Sequence, residues 1–366
     1  MKQTQLLNEL GQRIWLDNIT RDLITSGTLR RYIHDFSVTG LTSNPTIFDH
    51  AIGETNAYDA AIQLNARRRV LGEALFLELA FEDLRNAADL FQPTFEASAG
   101  EDGWVSMEVS PCWRGIRRRP WNEWHCSTIM PTGPTSSSRS PEHRKGFLRS
   151  RSPSSPVFRS TSRCSFPGSS ISPRRRPTSG VSSGGSRPGL NPRVPSVASL
   201  FVSRWDKAVA KQAPPELHDR LGIAVAMRTY RAYRELLDSP RWLRLAAAGA
   251  RTQRLLWAST GTKDPGASDV LYVQALVAPE TITTMPDATL KAFAEHGRVE
   301  QVLSRSNENA ETVLDRFEEV GVDIDALAER LQQEGIEAFT TSWNELMSRI
   351  DSKAHALEGA AGPAHS

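Results

Sequence analysis

Two stretches of this chain, residues 1–111 and 189–366, repeat one grammar: a short apolar run, a polar or charged residue at its end, then a helical stretch. That alternation restricts the fold more than any other feature. Strands separated by helices pair in parallel, and a parallel sheet needs both faces covered. Strands are expected at 13–17, 38–44, 105–109, 194–204 and 255–260, with a strand-loop region over 271–276 and 281–285. Helices are expected at 19–30 (turning at Gly27), 71–91 and 221–237, with two acidic amphipathic helices over 310–349 separated by Gly321 and Gly335. Pro45 stops the second strand, which places Asn44 at its carboxyl end. Polar residues recurring at strand ends favour a barrel with its site on the carboxyl face. The length of 366 residues accommodates one such barrel, which runs to roughly 250 residues or more. No internal repeat of fixed period is present.

Residues 112–188 break the grammar. They hold 15 Lys and Arg, 2 acids, 19 Ser and all three cysteines, leaving 29 basic and 40 acidic residues elsewhere. The net charge of +2 therefore averages a strongly basic segment with a remainder at −11, and is no call for nucleic acid. Cys112, Cys126 and Cys164 are odd in number and lack metal-ligand spacing, so neither a disulfide framework nor a metal site is expected. The first residues have no apolar core of signal-peptide length, and no run reaches the roughly 18 apolar residues of a membrane span. A cytoplasmic location, without membrane partners, is the expectation.

The blocks IWLDNITRDLI, LTSNPTIFDHAI, DGWVSMEVSP, VPSVASLFVSRWD, RLLWASTGTKDP and TTMPDATLKAF resemble, in the same order, a bacterial transaldolase of the longer subfamily. The resemblance spans the chain except 112–188. It implies a (β/α)8 TIM barrel of the class I aldolase type, with no metal or organic cofactor. It also implies transfer of a dihydroxyacetone unit from sedoheptulose 7-phosphate to glyceraldehyde 3-phosphate, in the pentose phosphate pathway, through a lysine Schiff base. Such a lysine must attack a ketone, lose water and then govern protons while a carbon–carbon bond breaks. Asp17 matches the family's proton-transferring acid on the first strand. Glu108 matches the acid on the third strand, which works through a water during imine formation. Asn44 matches the amide that holds the dihydroxyacetone hydroxyls. Ser199 and Arg204 match phosphate-side and substrate-positioning residues, with Phe201 as a pocket wall between them. Lys263 stands where a second phosphate cation is expected. Singly, these residues have blander roles: Asp17 a helix cap, Asn44 turn chemistry, Glu108 a solvated face, Arg204 and Lys263 surface cations. Trp257 and Phe201, taken singly, read as core, and Tyr230 and Tyr233 as helix packing.

The resemblance also implies a strand of the type LFIKIPGT, whose lysine is the nucleophile, and no such string occurs here. Rereading the codons of residues 136–143 one base earlier admits Leu-Phe-Ile-Lys-Ile-Pro-Gly-Thr. The lysine codon would then straddle Ser138 and Arg139. The same shift makes 152–172 compatible with PIFAGVPVNVTLLFSREQYL. The expected organisation is therefore barrel strands 1–3 in 1–111, an out-of-frame, disordered segment replacing strands 4 and 5 in 112–188, and the rest of the barrel with C-terminal helices in 189–366. The literal chain is expected to be inactive and, with open sheet edges, poorly soluble. Lys145, in a polar run, has no apolar strand to activate it as a substitute. A competing reading takes the segment at face value, as a basic Arg/Ser-rich RNA-binding tract on a non-catalytic barrel remnant. A true insertion would lengthen the barrel rather than replace two strands, so sugar phosphates and not nucleic acid are the expected partners.

Overall fold

The computed structural model describes residues 2–108, 127–130, 193, 195–304 and 308–360. Six parallel strands form its centre: β1 (Gln12–Asp17), β2 (Val38–Thr42), β3 (Trp104–Glu108), β5 (Ser196–Phe201), β6 (Gln253–Ala258) and β7 (Thr281–Met285). Their spatial order is β3-β2-β1-β7-β6-β5, so the first strand lies between the second and the last. That is the seam by which a (β/α) barrel closes on itself. The outermost strands, β3 and β5, line one common cavity, which requires the sheet to curl. The expected barrel is therefore the observed fold.

One interior feature fixes the curl. Trp15 of β1 fills the barrel together with Trp104, Leu256, Ala258 and Ile282 from β3, β6 and β7. A Cβ on Gly40 of β2 would meet the Trp15 ring nitrogen at 2.6 Å and the Trp104 carbonyl at 2.7 Å. Glycine in that strand is thus the space that the indole occupies.

The helices pack outside. They are α1 (Gln3–Glu9), α2 (Arg21–Thr25), α3 (Thr28–Phe36), α4 (Pro45–Glu54), α5 (Asp59–Arg67) and α6 (Gly72–Ala97) in the first part. The second part has α7 (Val202–Val209), α8 (Leu221–Leu237), α9 (Pro240–Ala247), α10 (Leu271–Ala275), α11 (Asp287–His296), α12 (Glu308–Glu319) and α13 (Ile324–Ala360). Tyr230 and Tyr233 pack on one face of α8, and Trp257 is fully buried in the same cluster, as the sequence implied.

Several elements differ from expectation. The helix over 19–30 is two helices, because Gly27 adopts φ 77° and reverses the chain between α2 and α3. Residues 271–275 are helical rather than part of a strand-loop region; a five-residue apolar run carries no period that separates the two. The strand expected over 194–204 ends at Phe201, where α7 begins. Gly335 does not end a helix: α13 runs through it for 37 residues. A glycine there costs about 1 kcal/mol relative to alanine, and packing of α13 against α4 offsets it. Within the segment expected to be disordered, β4 (Ser127–Met130) pairs antiparallel to β3, with Val105 opposite Met130. It takes the edge that barrel strand 4 would fill in parallel, an exposed ladder that any extended segment can satisfy. The three cysteines, Lys145 and the Ser138–Arg139 position lie outside the described residues.

Candidate active site

A cavity of roughly 440 Å³ opens at the carboxyl ends of the strands. Asp17 closes β1, Thr42 closes β2, Glu108 closes β3, and Ser199 and Phe201 lie at the end of β5; all line it. Arg204, in the first turn of α7, completes that side, with its guanidinium carbon 4.3 Å from the centre of the Phe201 ring. Asn44 lines the opposite side as the cap of α4: its side-chain oxygen accepts the Ile47 N–H at 3.0 Å, with Pro45 in the first helical position. The turn chemistry weighed for Asn44 is thus real, and it leaves the amide –NH2 as the group able to donate into the cavity. Phe201 is a wall of the cavity rather than interior core alone.

The two acids are held in unlike ways. Asp17 accepts a hydrogen bond from the Thr42 hydroxyl at 3.0 Å. Burial raises its pKa; the Thr42 bond and the charge of Lys263 pull against that rise. Glu108 is pushed up to about 8, first by burial and then by the neighbouring Asp17 charge, with Arg204 opposing. Glu108 therefore carries its proton at neutral pH. Two carboxyl groups thus face one cavity, both with raised pKa values but with different groups opposing the rise, Thr42 and Lys263 at Asp17 and Arg204 at Glu108.

Lys263 does not line the cavity. It is exposed on the loop after β6, near Gly261 and close enough for its charge to act on Asp17. The structure therefore brings six of the seven singled-out residues into the cavity and leaves the seventh outside its wall.

Sequence reasoning missed several lining residues. Thr42, Ser106, Ser259 and Thr284 sit on or just beyond strands, and Thr42 stands two residues before Asn44, where strand-end position could have marked it. Ser259 takes φ 54°, and its hydroxyl lies 2.9 Å from that of Ser203, tying the ends of β5 and β6. Gly335, Ala338, Phe339 and Ser342 come from α13, whose passage across the mouth has no local sequence signal.

Parallel strands curled around a cavity, with polar and ionisable groups at their carboxyl ends, define an α/β-barrel protein with its site on that face. A family model described as transaldolase/fructose-6-phosphate aldolase matches residues 14–115 and 186–350. The chain belongs to that family. It is 38% identical to a transaldolase of Parafrankia sp. (strain EAN1pec), the match covering 94% of this chain and 96% of that one. It is 35% identical to a transaldolase of Thiobacillus denitrificans (96% and 100% covered) and 37% identical to one of Thermobifida fusca (94% and 96% covered). Among the described residues no helix is long and apolar enough to cross a membrane.

Proposed function

We propose that the gene behind this chain specifies a cytoplasmic transaldolase, acting on sedoheptulose 7-phosphate and glyceraldehyde 3-phosphate through a lysine Schiff base. We further propose that the chain as written has lost its nucleophile to a shifted reading frame. The observation that carries the reading is the convergence of Asp17, Glu108, Asn44, Ser199, Phe201 and Arg204 on one cavity, among whose described lining residues there is no lysine.

In this reading the chemistry divides among those residues. The missing amine would attack the substrate ketone, and the ketone oxygen would leave as water. Glu108, protonated at neutral pH, is fitted to supply a proton for that departure through a bound water. Asp17 takes the proton of the substrate hydroxyl as the adjacent carbon–carbon bond breaks. Asn44 holds the dihydroxyacetone hydroxyls, Ser199 positions the substrate, and Arg204 offers a permanent forked charge to the phosphate. Lys263, outside the wall, contributes by its charge at the rim rather than by lining the cavity.

The match to the family model supports a replacement: it stops at 115 and resumes at 186, yet the relatives align over nearly their whole length. An inserted domain would lengthen the chain; an out-of-frame stretch preserves its length.

The test is incubation of the literal protein, and of one with the frame of 112–188 restored, with fructose 6-phosphate and borohydride. The restored protein is expected to gain a stable dihydroxyacetone-derived mass on its new lysine, and the literal one to gain none. An adduct on any lysine of the literal chain overturns the loss of the nucleophile. Absence of an adduct on the restored chain overturns the transaldolase reading. Resequencing the gene across codons 108–192 separates a sequencing error from a true mutation.

A further inference from the structure

We propose that this molecule is held together by the mating of its two parts, residues 2–108 and 195–360, so that a chain cut between them remains one particle. The seam between the parts runs through three places. At the barrel's centre β1 pairs with β7 over its length, from Gln12 opposite Thr281 to Leu16 opposite Met285. Buried Gln12 reinforces the seam, its amide donating to the Leu276 carbonyl at 2.7 Å and the Thr281 hydroxyl at 2.9 Å. Outside the barrel, α13 lies across α4, α5 and α6. The Trp343 ring meets Phe76 edge-on at 5.3 Å within a fully buried cluster. Lys353 donates to the carbonyls of Ile52 and Thr55 at 2.7 and 2.5 Å and pairs with Asp59 at 2.6 Å. On the amino face of the barrel, Arg254 of the second part reaches Asp102 of the first at 3.0 Å.

These contacts have the character of a domain core cut in two rather than of a docking between finished domains. Strand β1 has its ladder on both sides only when β7 is present, and the apolar faces of α4 and α6 are covered by a helix more than two hundred residues away. Against such an interface a covalent tether contributes an effective concentration, on the order of millimolar for a short flexible connection and less for a longer one. An obligate interface of mixed apolar and ionic contacts does not need that help at micromolar protein.

The experiment is limited trypsin digestion of the full chain in native buffer, followed by mass and size. Of the 44 Lys and Arg, 15 lie in 112–188. The expected result is first cuts inside that segment, with the two large products eluting together and parting only in denaturant. Products that separate in native buffer overturn the proposal. So do first cuts falling within 2–108 or 195–360, since the mated parts would then not be the compact unit. The variant Lys353→Glu leaves the strand seam intact while opposing Asp59. Uncut, it is expected to run as the parent does; once cut, its parts should dissociate at least about tenfold more readily. Unchanged cohesion of the cut variant removes α13 from the seam and overturns the interface described.

Discussion

The two ends of strand β3 carry acids with opposite fates. Asp102, two residues before the strand, meets Arg13 at 2.7 Å and Arg254 at 3.0 Å on the amino face. Glu108, its last residue, ends in a cavity with a second acid and one arginine near it, and holds its proton to about pH 8. One acid is satisfied by two cations and ties β1, β3 and β6 together. The other has, among the described residues, one opposing arginine and a like-charged neighbour at the cavity. On the function proposed above, stability resides at one end of the barrel and reactivity at the other, a division common to this architecture.

The comparison can be broken at either end. The largest effect is expected from Asp102→Ala, which strands two arginine charges and should lower the free energy of unfolding by about 3 kcal/mol. A urea titration that shows parent-like stability would mean the amino-face cluster is solvated ornament. At the other end, the pKa of Glu108 is raised from an ordinary 4.5 to about 8. Folding therefore favours the protonated form, and stability is fully present below pH 4.5 and declines as pH rises through 8. Glu108→Gln should flatten this decline, gaining roughly 2 kcal/mol over the parent at pH 8, after allowance for water in the cavity, and little at pH 4. Parallel stability–pH curves for the two proteins would refute it. The smallest effect belongs to Thr42→Val. Losing the hydroxyl that donates to Asp17 should cost about 1 kcal/mol near neutral pH and raise the carboxyl's pKa further, readable by NMR titration.

How legible these features were in the sequence follows from their range. Asp17, Asn44 and Glu108 stand at strand ends that a local apolar pattern marks, and the helix Leu221–Leu237 was visible residue for residue in its periodicity. The cavity's outer wall was not. Gly335 reads locally as a break, and only the surface of α4 lying under α13 makes it a tolerated helical residue. Leu271–Ala275 is too short for any period to declare itself. The place of Lys263 outside the wall is set by the fold of its loop rather than by residue type or spacing.

The seam between β1 and β7 also sets a timetable. The two strands are about 270 residues apart in the chain. At roughly 5–20 residues per second of synthesis, β1 leaves the ribosome tens of seconds before its partner exists. Through that interval its edge and the apolar faces beside it have no native cover. Barrel closure is then among the last events of the protein's birth, and the nascent first part is the stage at which a chaperone has most to guard.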